Sequence, residues 1–202
     1  MKKPAVFMDR DGTLSEEVGY INHVSRFQLF PYSAPAVKIL NDNGWLAIGI
    51  TNQAGVARGY FSEEMVLAVH DRLNRELQGG GAYLDAIYYC AHHPSVGEAP
   101  YRLDCNCRKP RPGLIQRATE DFPIDLSASW MIGDRYSDIE LAVNAGLRSA
   151  FVLSGYGRGE WEHQRSSWQY QPDLVCEDLL EAVQSIVDLR KSQFSSPTEV
   201  TI

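Results

Sequence analysis

The sequence predicts an α/β fold of three layers, in which a central parallel sheet carries helices on both faces. Three observations predict it. Short apolar runs rich in β-branched and aromatic residues alternate with amphipathic stretches along the chain. Polar or charged residues follow several of these runs directly, as happens where parallel strands present their carboxyl ends at one edge. The 202 residues are 44% hydrophobic and 22% charged, which suits one sizeable core and leaves no room for a second full domain.

Residues 5–8 read as the first strand, ending at Asp9. A helix is expected over 34–41, a second strand over 46–50 ending at Thr51, and a helix over 63–77 opened by Ser62 with acidic residues behind it. The third strand is expected over 87–89. Pro112 suits the first turn of a helix over 113–120. A fourth strand, 130–132, runs into Gly133-Asp134-Arg135, and a helix over 138–144, a fifth strand over 150–153 and a last helix over 178–189 complete the pattern. Cys176 lies on a short strand and reads as a small buried side chain. The folded domain is expected over 1–190, and 191–202, polar and interrupted by Pro197, as a flexible tail.

No apolar run approaches the roughly 20 residues that span a bilayer, so no membrane contact and a cytoplasmic location are expected. A net charge of -7 argues against a nucleic-acid partner. A monomer is the default.

Asp9 and Asp11 are separated by one residue, so in an extended chain both carboxylates project to one side. Side by side they repel unless a cation sits between them, and a hard, oxygen-seeking ion such as Mg²⁺ suits the pair. A carboxylate is ionised at neutral pH and attacks phosphorus without a base to activate it; its neighbour can protonate the leaving oxygen. Taken alone, Asp9-Arg10-Asp11-Gly12-Thr13 also fits a capped turn or a calcium loop. Thr51 is either a phosphoryl-oxygen donor or a strand-end cap, and Lys109 either neutralises a transferring phosphoryl group or belongs to a solvated basic turn. Asp134 can complete a magnesium shell. Asp138 fits either a positioning carboxylate or an ordinary helix-start acid.

Cys90-Ala91-His92 and Cys105-Asn106-Cys107 form two ligand pairs of equal spacing, joined by a loop poor in apolar residues. Three thiolates and one imidazole fill a tetrahedral shell, which points to structural Zn²⁺ in a loop over 90–107, with His93 the local competitor for His92.

In this order, Asp9-x-Asp11-Gly12-Thr13, Thr51, Lys109 and Gly133-Asp134 resemble the four motifs of the haloacid dehalogenase superfamily. The resemblance implies a Rossmann-like three-layer sandwich. It implies Asp9 as nucleophile, Asp11 as general acid and then base, and Thr51 and Lys109 as phosphoryl-stabilising groups. Magnesium would be held by Asp9, the Asp11 main-chain carbonyl and Asp134. Neither inter-motif gap is long enough for a cap domain.

Longer strings, among them Thr51-Asn52-Gln53-Ala54-Gly55-Val56-Ala57-Arg58-Gly59 and Cys105-Asn106-Cys107-Arg108-Lys109-Pro110, are similar to those of the capless, zinc-loop family of heptose-bisphosphate phosphatases. That likeness implies a small phosphorylated sugar as partner. The reaction implied is hydrolysis of the C7 phosphate of D-glycero-D-manno-heptose 1,7-bisphosphate, on the way to nucleotide-activated heptose and the lipopolysaccharide core. It implies substrate contacts from Arg10, Glu17, Val18, Gly19, Tyr20, Asn52, Gln53, Ala54, Arg108 and Arg135. Arg58, Arg108, Arg111 and Arg135 are expected to gather near the site for a second anionic group. The alternatives are a histidinol-phosphate phosphatase, which shares the aspartate chemistry and a similar loop, and a zinc-stabilised binding module without catalysis.

Overall fold

The computed structural model describes residues 2–194. Among these, six strands form one sheet: β1 (Ala5–Met8), β2 (Leu46–Asn52), β3 (Ala86–Cys90), β4 (Trp130–Gly133), β5 (Arg148–Val152) and β6 (Leu174–Cys176). All neighbours pair in parallel, in the order β3-β2-β1-β4-β5-β6. The helices are α1 (Ser33–Asp42), α2 (Glu63–Gly79), α3 (Gly113–Asp121), α4 (Tyr136–Ala145), α5 (Gly157–Gln164) and α6 (Leu179–Phe194).

Every residue of β1 is buried because successive side chains enter opposite cores. Val6 and Met8 belong to one core cluster with Leu40 of α1, Leu73 of α2 and Val183 of α6; Ala5 and Phe7 belong to the other, with Ile115 of α3 and Leu141 of α4. A strand covered on both faces reads as an unbroken apolar run, which is why it was legible. Each such side chain contributes about 1.5–3 kcal/mol through burial, so Phe7→Ala is among the costliest single changes to the sheet.

The chain builds outward from β1 through β2 to β3 and then recrosses to β4, on the other side of β1. Strand order therefore reverses between β1 and β4, and Asp9 and Asp134 leave the sheet on either side of that point. Only a short 3-10 turn, Val24–Arg26, interrupts the 9–32 segment, and 91–112 carries no helix or strand, so among the described residues no cap covers the site.

Several expectations need correction. Besides the five strands expected in the sheet, the short strand expected at Cys176 is β6, which pairs with β5 and places Cys176 in the core. Helix α5 was not expected; its opening Gly157-Arg158-Gly159 has poor helix propensity. Helix α4 begins at Tyr136 rather than Asp138: Asp138 is the third helical residue, and its side chain accepts from the N–H of Arg135, the residue just before the helix. Pro112 precedes the first turn of α3. Asp178 caps α6 by accepting from Leu180 and Glu181 N–H at 2.9 and 3.0 Å. That helix continues to Phe194, into the segment expected as tail; the rest of the expected tail, 195–202, lies outside the described residues. Among the described residues no helix is long and apolar enough to cross a membrane.

Candidate active site

The turn after β1 can form only with glycine. Gly12 has φ +88°, and a Cβ there would lie 2.2 Å from Asp134 Oδ2. Within this turn Asp9 is nearly buried: Oδ1 accepts from Arg10 N–H at 2.7 Å, and Oδ2 lies 2.7 Å from Lys109 Nζ. The ammonium also lies 2.7 Å from Asp138 Oδ1 and donates to the Ile50 carbonyl at 3.3 Å. Asp138 Oδ1 accepts no hydrogen bond of ordinary geometry, so that contact is an ion pair. Its other oxygen accepts from Arg135 N–H at 3.2 Å. Asp134, fully buried, accepts from Tyr156 N–H at 2.8 Å and from the Thr13 hydroxyl at 3.5 Å.

Carboxylate oxygens of Asp9, Asp134 and Asp138 all fall within 4.8 Å of one another. Burial pushes the Asp9 carboxyl up to about 6, against the pull of Lys109, and burial with the nearby Asp9 charge carries Asp134 well above the usual carboxylate range. Burial alone would lower Lys109, but Asp138 and Asp9 outweigh it and hold the ammonium above its ordinary value. One ammonium against three carboxylates leaves a negative surplus. A hard divalent cation relieves it, so this all-oxygen donor set fits Mg²⁺.

Asp11 is not one of the converging three. Its oxygens are gripped by the Arg10 fork at 3.0 and 2.6 Å, and Gln53 Nε2 donates to it at 2.9 Å. The same amide donates to the Thr51 hydroxyl at 2.9 Å. Arg10 corrects an expectation: its side chain is buried and turned inward, with Nη1 3.3 Å from His70 Nε2. Burial, reinforced by Arg10, lowers His70 to about 3, so the ring is neutral and accepts. A buried guanidinium needs such partners, and Arg10 is not among the residues that line the cleft.

Asp9, Asp11, Thr51 and Lys109 line a cleft of about 440 Å³ together with Glu17, Gly19, Tyr20, Asn52, Gln53, Ala54, Arg108 and Arg135. Burial raises the Glu17 carboxyl, which accepts from Gly19 N–H at 2.6 Å. Val18 does not line the cleft; its carbonyl accepts from Arg26, as does that of Tyr20, both at 2.9 Å. Of the four arginines expected to gather, Arg108 and Arg135 do. Arg111 instead pairs with Asp104 at 2.7 Å, and Arg58 lies 3.4 Å from His93. Gly55, Phe61, Ser137 and Tyr156 line the cleft without having been singled out. Tyr156 was within reach of sequence reasoning, because Leu153-Ser154-Gly155-Tyr156 is a polar, glycine-bearing strand end like the other three.

Beside this cleft, Cys90, His92, Cys105 and Cys107 bring their donor atoms within 4.8 Å of one another. The sulfurs stand 3.1 to 3.5 Å apart, and His92 Nδ1 lies 3.3 Å from Cys107 Sγ. No disulfide forms. The spacing approaches the roughly 3.8 Å edge of a tetrahedron with Zn–S bonds of ~2.3 Å, and the soft donor set fits Zn²⁺ with no position left open. Burial pushes the Cys90 thiol up, a penalty that a bound dication reverses. His93 is committed elsewhere: Nδ1 accepts from Ser95 and Val96 N–H at 3.2 and 3.1 Å.

Comparison with known proteins matches residues 106–182 to a family described as HAD-hydrolase-like. D-glycero-D-manno-heptose-1,7-bisphosphate 7-phosphatase of Thermosynechococcus vestitus is 43% identical over 92% of this chain and 96% of its own length. The β-anomer-named enzyme of Haemophilus ducreyi is 42% identical over 91% and 98%. Among solved structures, D,D-heptose 1,7-bisphosphate phosphatase from B. bronchiseptica, complexed with magnesium and phosphate, superposes with a TM-score of 0.82 at 28% identity, covering 92% of this chain and 99% of that one. By sequence and by fold, the chain belongs to the heptose-1,7-bisphosphate 7-phosphatase family of the haloacid dehalogenase-like hydrolases.

Proposed function

We propose that this chain hydrolyses the C7 phosphate of D-glycero-D-manno-heptose 1,7-bisphosphate, yielding heptose 1-phosphate, with Asp9 as nucleophile. The observation that carries the mechanism is the 2.7 Å contact between Asp9 and a buried Lys109, itself anchored on Asp138, at the reversal point of the sheet. An Asp9 oxygen attacks phosphorus while the bond to the C7 oxygen breaks, and Asp11 delivers the proton that oxygen requires. Water then attacks the aspartyl phosphate and gives its proton to Asp11, releasing inorganic phosphate and restoring Asp9.

Lys109 and the Thr51 hydroxyl offset charge on the phosphoryl oxygens. Magnesium, held by Asp9, the Asp11 carbonyl and Asp134, supplies further positive charge against those oxygens. Glu17, Tyr20 and the 52–54 segment wall the sugar, and Arg108 and Arg135 meet the phosphate at C1. Zinc on Cys90, His92, Cys105 and Cys107 fixes the loop that carries Arg108 and Lys109. Every group comes from one chain, which supports a monomer as the working unit, and a sugar-phosphate substrate goes with a cytoplasmic location.

The test is kcat/KM with Mg²⁺ for heptose 1,7-bisphosphate against histidinol phosphate. A large preference for the bisphosphate is expected; a preference for histidinol phosphate overturns the substrate, and no phosphate release from either overturns catalysis.

A further inference from the structure

Arg135 is held from two sides by residues that the chemistry above does not use. Its side chain is 46% exposed, yet Nη2 lies 3.3 Å from Glu160 Oε1 and the guanidinium stands 4.4 Å from the centroid of the Tyr156 ring. Glu160, on α5, is itself buried. Its second oxygen accepts from Tyr136 N–H at 2.7 Å, so one carboxylate caps the first turn of α4 and tethers the arginine just before that turn. Tyr156 lines the cleft and is tied to the aspartate cluster through its N–H to Asp134.

We infer that Glu160 and Tyr156 form a cradle that fixes the plane of Arg135 and thereby sets the preference for substrates with a second anionic group; the inference rests on the role of Arg135 proposed above. An arginine on the rim of an uncapped cleft loses rotamer freedom when it grips an anion. A carboxylate at one nitrogen and an aromatic face against the plane impose that order beforehand, leaving the remaining N–H groups for the ligand. Glu160 also offsets part of the arginine's charge. At 3.3 Å, longer than a strong charge-assisted bond, this is the smaller effect. Glu160 and Tyr156 are positioning residues: neither takes part in bond making.

The decisive variant is Glu160→Gln, which keeps an oxygen for Tyr136 N–H and removes the charge facing Arg135. Compared by kcat/KM, the preference for heptose 1,7-bisphosphate over heptose 7-phosphate should fall about tenfold, the scale of one side chain's ordering. The fall should lie in KM for the bisphosphate, with kcat and heptose 7-phosphate turnover unchanged. In an Arg135→Ala background the same substitution should change nothing further. If Glu160→Gln does not fold, Tyr156→Leu supplies the test, because it removes the aromatic face against the guanidinium while keeping the backbone N–H that Asp134 accepts, and should lower the preference in the same direction. Equal loss on both substrates, tighter bisphosphate binding, or an effect that persists without Arg135 overturns the inference. A wild-type enzyme with no preference for the bisphosphate would instead overturn the substrate reading beneath it.

Discussion

Two clusters in this molecule share a geometric signature, donor atoms gathered within 4.8 Å, and differ in nearly everything else. The aspartate cluster is built of hard oxygens, opens onto the cleft and carries an embedded ammonium. The cysteine cluster is soft, and its four donors complete a shell with no room for substrate. In the first, burial works against the charged carboxyls and keeps the site primed to take a cation and a phosphoryl group. In the second, the ion substitutes for a core that the loop's sequence does not provide. Donor type and access, more than proximity, separate a reactive centre from a fastener.

The sharpest way to break the contrast is Asp9→Asn. If the aspartate cluster is reactive, turnover falls on the order of 10⁴-fold or more, while the melting temperature stays within a few degrees because a crowded buried charge has been removed. Substantial residual hydrolysis in a clean preparation would show that another group attacks phosphorus.

Cys107→Ser should have the opposite profile. Zinc content, measured by atomic emission, should fall well below one ion per chain, and the melting temperature should drop by roughly 5–10 °C. Activity should follow, since Arg108 and Lys109 continue directly from that ligand. Loss of zinc with stability and turnover intact would mean that the cluster fastens nothing.

Both clusters were legible in the sequence, each by its own local signal. Asp9, Thr51 and Asp134 stand directly after apolar runs, and Cys90, His92, Cys105 and Cys107 declare themselves by spacing. What escaped depends on contacts distant along the chain. Arg10 was expected to contact substrate, and its inward turn becomes visible only when His70, on α2, packs beneath it. Strand β6 is three residues long with Val175 exposed, so the sequence offered it only as a short strand at Cys176, without a place in the sheet. Strand β5 starts at Arg148 because that guanidinium packs 4.0 Å over Trp130, its register partner; the charge hides the first part of the strand.

A third, smaller effect separates the clusters by pH. In the folded, metal-free protein Asp9 titrates near 6 rather than 3.8, so between these values the folded state holds a proton that the unfolded chain has released. Stability from this group is therefore present at low pH, falls as pH rises from about 4 to about 6, and stays lower above that. Mg²⁺ favours the ionised carboxylate and should recover the loss. The rise in melting temperature on adding Mg²⁺ should be a few degrees larger at pH 7.5 than at pH 5; an equal rise at both would separate Asp9 from the metal site.

The smallest effect tests whether the two clusters are independent. Asn52, at the end of β2, makes a reciprocal pair with the backbone of Lys109: its Nδ2 donates to the Lys109 carbonyl at 3.2 Å and its Oδ1 accepts from Lys109 N–H at 3.1 Å. The zinc loop is thus stitched to the sheet at the residue whose ammonium serves Asp9. Asn52→Ala removes two hydrogen bonds of about 1 kcal/mol each, which corresponds to a few degrees in melting temperature. It should also lower kcat by roughly three- to tenfold, because Lys109 loses its fixed height over the nucleophile, with zinc content unchanged. Asn52→Asp keeps the acceptor and should fall between the two. If kcat is untouched while the melting temperature drops, the loop positions Lys109 without help from the sheet, and the fastener and the reactive centre are mechanically separate.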